Sequence, residues 1–173
     1  GEVNGGWTVV REPLNAEHGA VDAADDGLAD VSIMMHQAGF MAAAVDKAAA
    51  QSTAADPNGR RLIDDGSVAY RLGRSVARME AALSAPSIFG RVALAQTMRD
   101  ISPDLMDILG AASALPIGTD GAADDGAAEY VYRFAPLVGI YGGTLEVFRN
   151  MIAQYVLGLG KPNYSPPAVK AAS

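Results

Sequence analysis

The sequence predicts an all-α domain, an antiparallel helical bundle of the four-helix type. Half of the 173 residues are hydrophobic, and alanine, the strongest helix former, dominates that half where β-branched residues would mark strands. Apolar residues recur at three- and four-residue spacing along several segments. Connectors rich in Gly, Pro and Asp separate those segments, as residues that interrupt helices do. The length suits one domain with a core of its own. We expect that domain over residues 1–160 and an extended tail over 161–173.

Taken in order, Gly1-Glu2-Val3-Asn4-Gly5-Gly6-Trp7 reads as the first ordered loop of a longer protein. It has no initiating Met and neither the charged n-region nor the apolar h-region of a signal peptide. Trp7-Thr8-Val9-Val10 leads into a short helical stretch through Leu14 and Glu17, which Gly19 and Asp25-Asp26-Gly27 interrupt. A helix is expected from about Leu28 to Ala50, carrying Val31, Met34, Met35, Met41 and Val45. Gln51 to Asp65, with Pro57-Asn58-Gly59, is a connector. Asp65-Gly66-Ser67 offers cap residues for the next helix, whose Val68, Leu72, Val76, Met79 and Leu83 fall at helical spacing. Pro86 opens another stretch with Ile88, Phe89, Val92, Leu94, Met98, Ile101, Leu105, Met106 and Leu109. Pro103 inside it either kinks one long helix or follows a Ser102 cap that starts a second. Ala114 to Asp125 reads as a loop, and Ala127 to Val138 as a helix with Tyr130, Tyr132 and Phe134. After Gly142-Gly143, Thr144 caps the final helix with Leu145, Phe148, Met151, Ile152, Tyr155 and Val156, which Gly158 to Gly160 end.

Composition narrows the function classes. A formal net charge of −7 argues against a nucleic-acid surface, which needs clustered Lys and Arg. The absence of cysteine removes disulfides, thiolate nucleophiles and Cys-based metal sites, and fits a cytoplasmic protein. No apolar run approaches the roughly 20 residues of a membrane helix. A di-iron bundle site needs Glu-x-x-His on each of two helices. The only histidines, His18 and His36, have no Glu three positions before them, so no metal is expected.

The most informative segment runs from Ile140 to Leu159. It has an aromatic at Tyr141, then Gly142-Gly143, then a capped amphipathic helix through Thr144 and Glu146. Two glycines let a backbone approach a flat ligand closely, and the following helix start offers free N–H groups. By pattern alone, the favoured reading is a tight helix–helix turn.

This segment resembles the acyl-CoA dehydrogenase signature, an aromatic–(Glu or Gly)–Gly–Thr–x–Glu turn into the last helix. Gly6-Trp7 through Leu14-Asn15-Ala16-Glu17-His18 is similar to the family's entry into its C-terminal helical domain. Gly59-Arg60-Arg61-Leu62-Ile63-Asp64-Asp65 is similar to a third stretch found in actinobacterial members. The resemblance implies FAD as cofactor, an acyl-CoA substrate, an electron-transfer acceptor and assembly into homo- or hetero-oligomers through the helical bundle. It also implies a mechanism in which a carboxylate removes the thioester α-proton while the β-hydrogen leaves as hydride to the flavin. The thioester oxygen must then be held as enolate charge develops. The resemblance carries one donor over to the backbone N–H of Gly142, and places Tyr141, Gly143, Thr144 and Glu146 against the flavin. It points to Glu17 as the base, because Gly142 stands where many members carry a catalytic Glu, and to Asn15 and His18 on the substrate side.

The sequence departs from the family pattern in places. Asp56-Pro57-Asn58-Gly59 replaces an Arg-x-x-Phe-Gly that serves the flavin diphosphate. Asp107-Ile108-Leu109-Gly110-Ala111 keeps one glycine where the family has two, and the stretch between Leu83 and Ile88 is shortened. Two readings follow. One is the C-terminal domain of an acyl-CoA desaturating subunit, in a family some of whose members are heteromers acting on steroid side-chain thioesters. The other is a non-catalytic, dehydrogenase-like subunit that serves as an assembly partner.

Overall fold

The computed structural model describes residues 3–13 and 31–160, with side-chain surroundings from residue 36 onward in the second segment, Ser87 excepted. The described residues hold helices and no strand. They are α1 (residues 6–13), α2 (Val31–Thr53), α3 (Gly66–Ser84), α4 (Ser87–Leu109), α5 (Ala127–Val138) and α6 (Leu145–Met151). Short 3-10 turns at Leu62–Asp64, Ala111–Ala114 and Ala123–Gly126 shape the connectors.

Cross-helix bonds establish the direction of each packed pair. Arg71 and Arg74 on α3 reach Asp104 on α4, Arg71 also reaches Asp107, and Arg78 reaches Asp100. Residues rise along α3 as their partners fall along α4, so the two helices are antiparallel. Near the start of α4, Arg91 bonds the Val138 carbonyl at the end of α5. Gln37 on α2 meets Tyr141 just beyond α5, while Gln51 near the end of α2 meets Asp124 just before it. The bundle is therefore up-down-up-down, with α4 packed on all three other long helices.

The core lies along α4: Leu94, Ala95, Met98, Ile101 and Leu105 pack with Met41, Ala44, Val45 and Ala48 of α2 and with Val131, Ala135 and Val138 of α5. Alanines at the α2 contact let helix backbones approach closely, which explains the alanine-rich composition. Pro103 lies inside one continuous α4, which settles the open choice in favour of one helix. Ser102 is 1% exposed and caps nothing. Proline removes one rung of the ladder at a cost of about 3 kcal/mol. Ile101 and Leu105, both essentially buried on either side of it, supply the packing that offsets that loss.

Other expectations meet the structure with small differences. Asp65 caps α3, its carboxylate accepting from the amides of Ser67 at 2.7 Å and Val68 at 3.3 Å. The α3–α4 connector is only Ala85-Pro86. The helix expected to end near Ala50 continues to Thr53. The final helix is not one uniform α-helix: α6 gives way at Ile152–Val156 to a π-helical turn. Tyr155 and Val156, which fit the apolar spacing, are exposed. A one-residue widening of the helix rotates every following side chain off the inner stripe. Trp7 on α1 is 83% exposed. Among the described residues, no helix is long and apolar enough to cross a membrane.

Candidate functional site

The glycine-rich turn grows directly out of the end of α5. Gly139 closes that helix, its amide bonding the carbonyls of Pro136 and Leu137. The Leu145 amide bonds back to the Gly139 carbonyl at 3.2 Å, closing a loop over residues 139–145. Inside it, Gly142 has φ +67° and Gly143 φ +122°. L-residues avoid both values, so the two glycines let the chain turn here. A Cβ on Gly143 would also come within 3.2 Å of Cε2 of Phe148. Gly142, by contrast, is exposed, and a Cβ there would meet nothing within 4 Å.

Thr144 caps α6, its hydroxyl accepting from the Val147 amide at 3.4 Å. Glu146 is exposed in the first turn, beside Arg149 at 3.7 Å. Its own amide first, then the Thr144 hydroxyl, hold the carboxyl below its ordinary value. Among the described residues, the amides of Gly142 and Thr144 enter no backbone hydrogen bond. Unbonded N–H groups just before a helix start favour acceptor atoms or negative charge.

Two buried polar residues back the turn, and the sequence reading named neither. Arg91 is 5% exposed. Its Nη1 donates to the Val138 carbonyl and its Nη2 to the Tyr141 carbonyl, each at 2.7 Å. Its guanidinium lies over the rings of Tyr141 and Phe148, 5.2 and 5.1 Å from their centres. Burial lowers its pKa from the ordinary value, and the Tyr141 hydroxyl opposes that shift. The charge is balanced by carbonyl dipoles at the negative end of α5 and by two ring faces. Gln37 is buried too, donating from Nε2 to the Tyr141 hydroxyl. Burial raises the Tyr141 phenol, with Arg91 and Gln37 opposing. The only sequence signal for Arg91 was a charge on a helix of otherwise apolar periodicity, a position where such a residue must find partners.

The structure thus brings Tyr141, Gly142, Gly143, Thr144 and Glu146 together at one end of the bundle. Asn15, Glu17 and His18 lie outside the described residues. The loop at Asp56-Pro57-Asn58-Gly59 is closed on itself. Asp56 Oδ1 accepts from the amides of Asn58 and Arg60, and Oδ2 accepts from the Arg60 guanidinium.

Residues 85–157 match the family model for the acyl-CoA dehydrogenase C-terminal domain. Acyl-CoA dehydrogenase FadE26 of Mycobacterium tuberculosis is 28% identical over 186 aligned positions, which take in 94% of this chain and 42% of FadE26. A crystal structure of the ChsE4–ChsE5 complex from Mycobacterium tuberculosis is similar at TM-score 0.65 with 25% identity, over 94% of this chain and 42% of the other. The structure of the Tcur3481–Tcur3483 steroid ACAD reaches TM-score 0.62 at 24% identity with the same coverage, a likeness of fold. The chain therefore spans 42% of the length of these relatives.

Proposed function

We propose, from the premise that residues 85–157 are an acyl-CoA dehydrogenase C-terminal domain, that this chain contributes the enolate-stabilising turn of an enzyme desaturating an acyl-CoA thioester. The observation that carries the reading is the turn itself. Gly142 is exposed and without a side chain, and neither its amide nor that of Thr144 is bonded by the backbone. A thioester oxygen gaining charge needs preorganised donors, because a donor that is already in place costs no reorganisation when the charge appears.

Members of the family are generally FAD-dependent, and the residues of the turn fit that group. Gly142 and Gly143 allow close approach of a flat ring, Tyr141 offers an aromatic neighbour, and free amides offer donors to its acceptor atoms. Thr144 and Glu146, at the start of α6, would lie along it. FAD, when bound, supplies hydride acceptance from the β-carbon. For the chain's own residues, the Gly142 N–H holds the thioester oxygen and Glu17 takes the α-proton. A carboxylate in a dry acyl pocket has its pKa raised, which suits a base working near neutrality. Asn15 and His18 sit on the substrate side in this reading.

The ChsE4–ChsE5 complex supports an unlike subunit as partner, and a steroid ACAD variant of 26% identity supports a bulky steroid side-chain thioester as substrate. We place the protein in the cytoplasm, with an electron-transfer protein taking the reducing equivalents. One observation favours a second reading, a non-catalytic subunit serving as an assembly partner. Asp56-Pro57-Asn58-Gly59 carries neither the Arg nor the Phe of the family's flavin-diphosphate pattern, and Arg60 beside it is drawn back onto Asp56 through its Nε.

The test is the visible absorption spectrum of the full-length protein with its partner subunit, before and after desalting with FAD, followed by turnover of Glu17→Gln. Retained flavin with turnover abolished by Glu17→Gln supports the catalytic reading. Retained flavin with unchanged turnover removes Glu17 as the base. A complex whose activity survives destruction of this chain's turn would establish the assembly role instead.

A further inference from the structure

We infer that Arg91 is a positioning residue for the reaction proposed above: it aims the Gly142 N–H and strengthens it as a donor by gripping the opposite end of the same peptide group. The inference rests on the desaturase reading and adds a residue to it.

The geometry follows from the planarity of the peptide. The carbonyl of Tyr141 and the N–H of Gly142 belong to one peptide unit, and the described residues contain no cis bond. In a trans peptide the C=O and N–H vectors point in opposite directions within one plane. Arg91 Nη2 holds the Tyr141 oxygen from the bundle interior at 2.7 Å. The Gly142 N–H is therefore directed away from the core, on the exposed side of the turn. At Gly142, where φ is +67° and no Cβ restrains the backbone, the peptide could otherwise rotate.

Three features make the grip firm. The other arm of the guanidinium, Nη1, holds the Val138 carbonyl at 2.7 Å, so the fork ties the turn to the last residue of α5. The guanidinium carbon lies over the rings of Tyr141 and Phe148, one on each side of the two glycines, at 5.2 and 5.1 Å from their centres. Burial at 5% exposure keeps water from competing for the carbonyls. Donation from a cation into a carbonyl polarises the whole peptide, and the N–H at its far end becomes a stronger donor. The guanidinium also puts positive charge behind the turn where enolate charge gathers in front. A lysine cannot reproduce this: a compact ammonium reaches one carbonyl or the other and does not stack as a plane.

The experiment uses the flavin-loaded, full-length enzyme with its partner subunit and compares wild type, Arg91→Lys and Arg91→Gln. Measured quantities are kcat per bound flavin, KM for the acyl-CoA, thermal midpoint, and amide hydrogen exchange of the peptide covering residues 139–145. Losing a well-placed oxyanion donor costs about 100- to 1000-fold, so misaiming one is expected to cost about 10- to 100-fold in kcat. Arg91→Lys should show that fall with KM within about twofold, and Arg91→Gln a larger one, with exchange at residues 139–145 accelerated in both. A residue that only stabilised the fold would lower the thermal midpoint and leave kcat per bound flavin unchanged. That result in Arg91→Lys overturns the inference, whether or not Arg91→Gln folds. A wild-type holoenzyme with no desaturation would instead overturn the functional reading, and this inference with it.

Discussion

Replacing Gly126 by alanine should cost several times more stability than the same change at Gly118, although both glycines adopt left-handed backbone. Their φ values are +78° and +83°. Each variant pays about 1–2 kcal/mol for an L-residue in that conformation, and recovers about 0.4–1 kcal/mol from a stiffer unfolded chain. At Gly118 an added Cβ meets nothing within 4 Å, so the net loss is about 1 kcal/mol. At Gly126 the Cβ would lie 2.4 Å from the Ile117 nitrogen and 2.7 Å from the Pro116 carbonyl carbon. Both are backbone atoms, which no rotamer change can move aside. The connector must shift, and with it the turn in which Asp124, Asp125 and Gly126 carry successive positive φ values before α5 begins. Overpacking of this kind adds about 1–3 kcal/mol, giving about 2–4 kcal/mol in all. For a chain of this size each kcal/mol lowers the midpoint by about 2–4 °C. Thermal unfolding followed by far-ultraviolet circular dichroism should therefore place Gly118→Ala about 2–4 °C below the parent and Gly126→Ala about 4–16 °C below it. Midpoints of the two variants within about 2 °C of each other would refute the close-approach argument.

Two aspartates should respond to pH in opposite senses. Burial raises the Asp124 carboxyl, opposed by the Ala128 amide and Lys47. Its folded pKa lies above the unfolded one, so its contribution is complete below about pH 4 and is lost as pH rises through the folded value. Asp124→Asn keeps an acceptor for the Ala128 amide and should match or exceed the parent's urea midpoint at neutral pH; a lower midpoint there would contradict the sign. Burial also raises Asp104, but the hydrogen bonds and charges of Arg74 and Arg71 together outweigh it and hold the carboxyl below its ordinary value. That stability is present above about pH 4 and is lost as pH falls through the folded pKa. Asp104→Asn should cost about 1–3 kcal/mol at neutral pH, since two half-exposed guanidiniums lose their charged acceptor. The difference should shrink toward about pH 3, and a constant difference across the range would count against the ion-pair account.

Much of the fold was legible because it depends on local chemistry. The Asp65 cap, the apolar spacing of Leu72 and Met79, and the Gly142-Gly143 interruption before the Thr144 cap each act within a few residues of themselves. Pro103 was harder, since a proline's local preference is to break a helix, and only the packing around Ile101 and Leu105 decides that it does not. The exposure of Tyr155 and Val156 was hidden for a similar reason. Their spacing is right for an ideal helix, and the π-helical turn at Ile152–Val156 alters the count.

The sequence by itself determined the helical class, the order of the helices, the caps, and the motif that places Tyr141, Gly142, Gly143, Thr144 and Glu146 at one turn. These follow from propensity, periodicity and short-range hydrogen bonding, which are written in neighbouring residues. Only the tertiary structure decided that Arg91 and Gln37 stand behind that turn, 50 and 104 residues away from Tyr141 along the chain. A buried charge has no sequence pattern of its own. It becomes intelligible once the bundle delivers two carbonyls and two ring faces to the one place where the guanidinium can be satisfied.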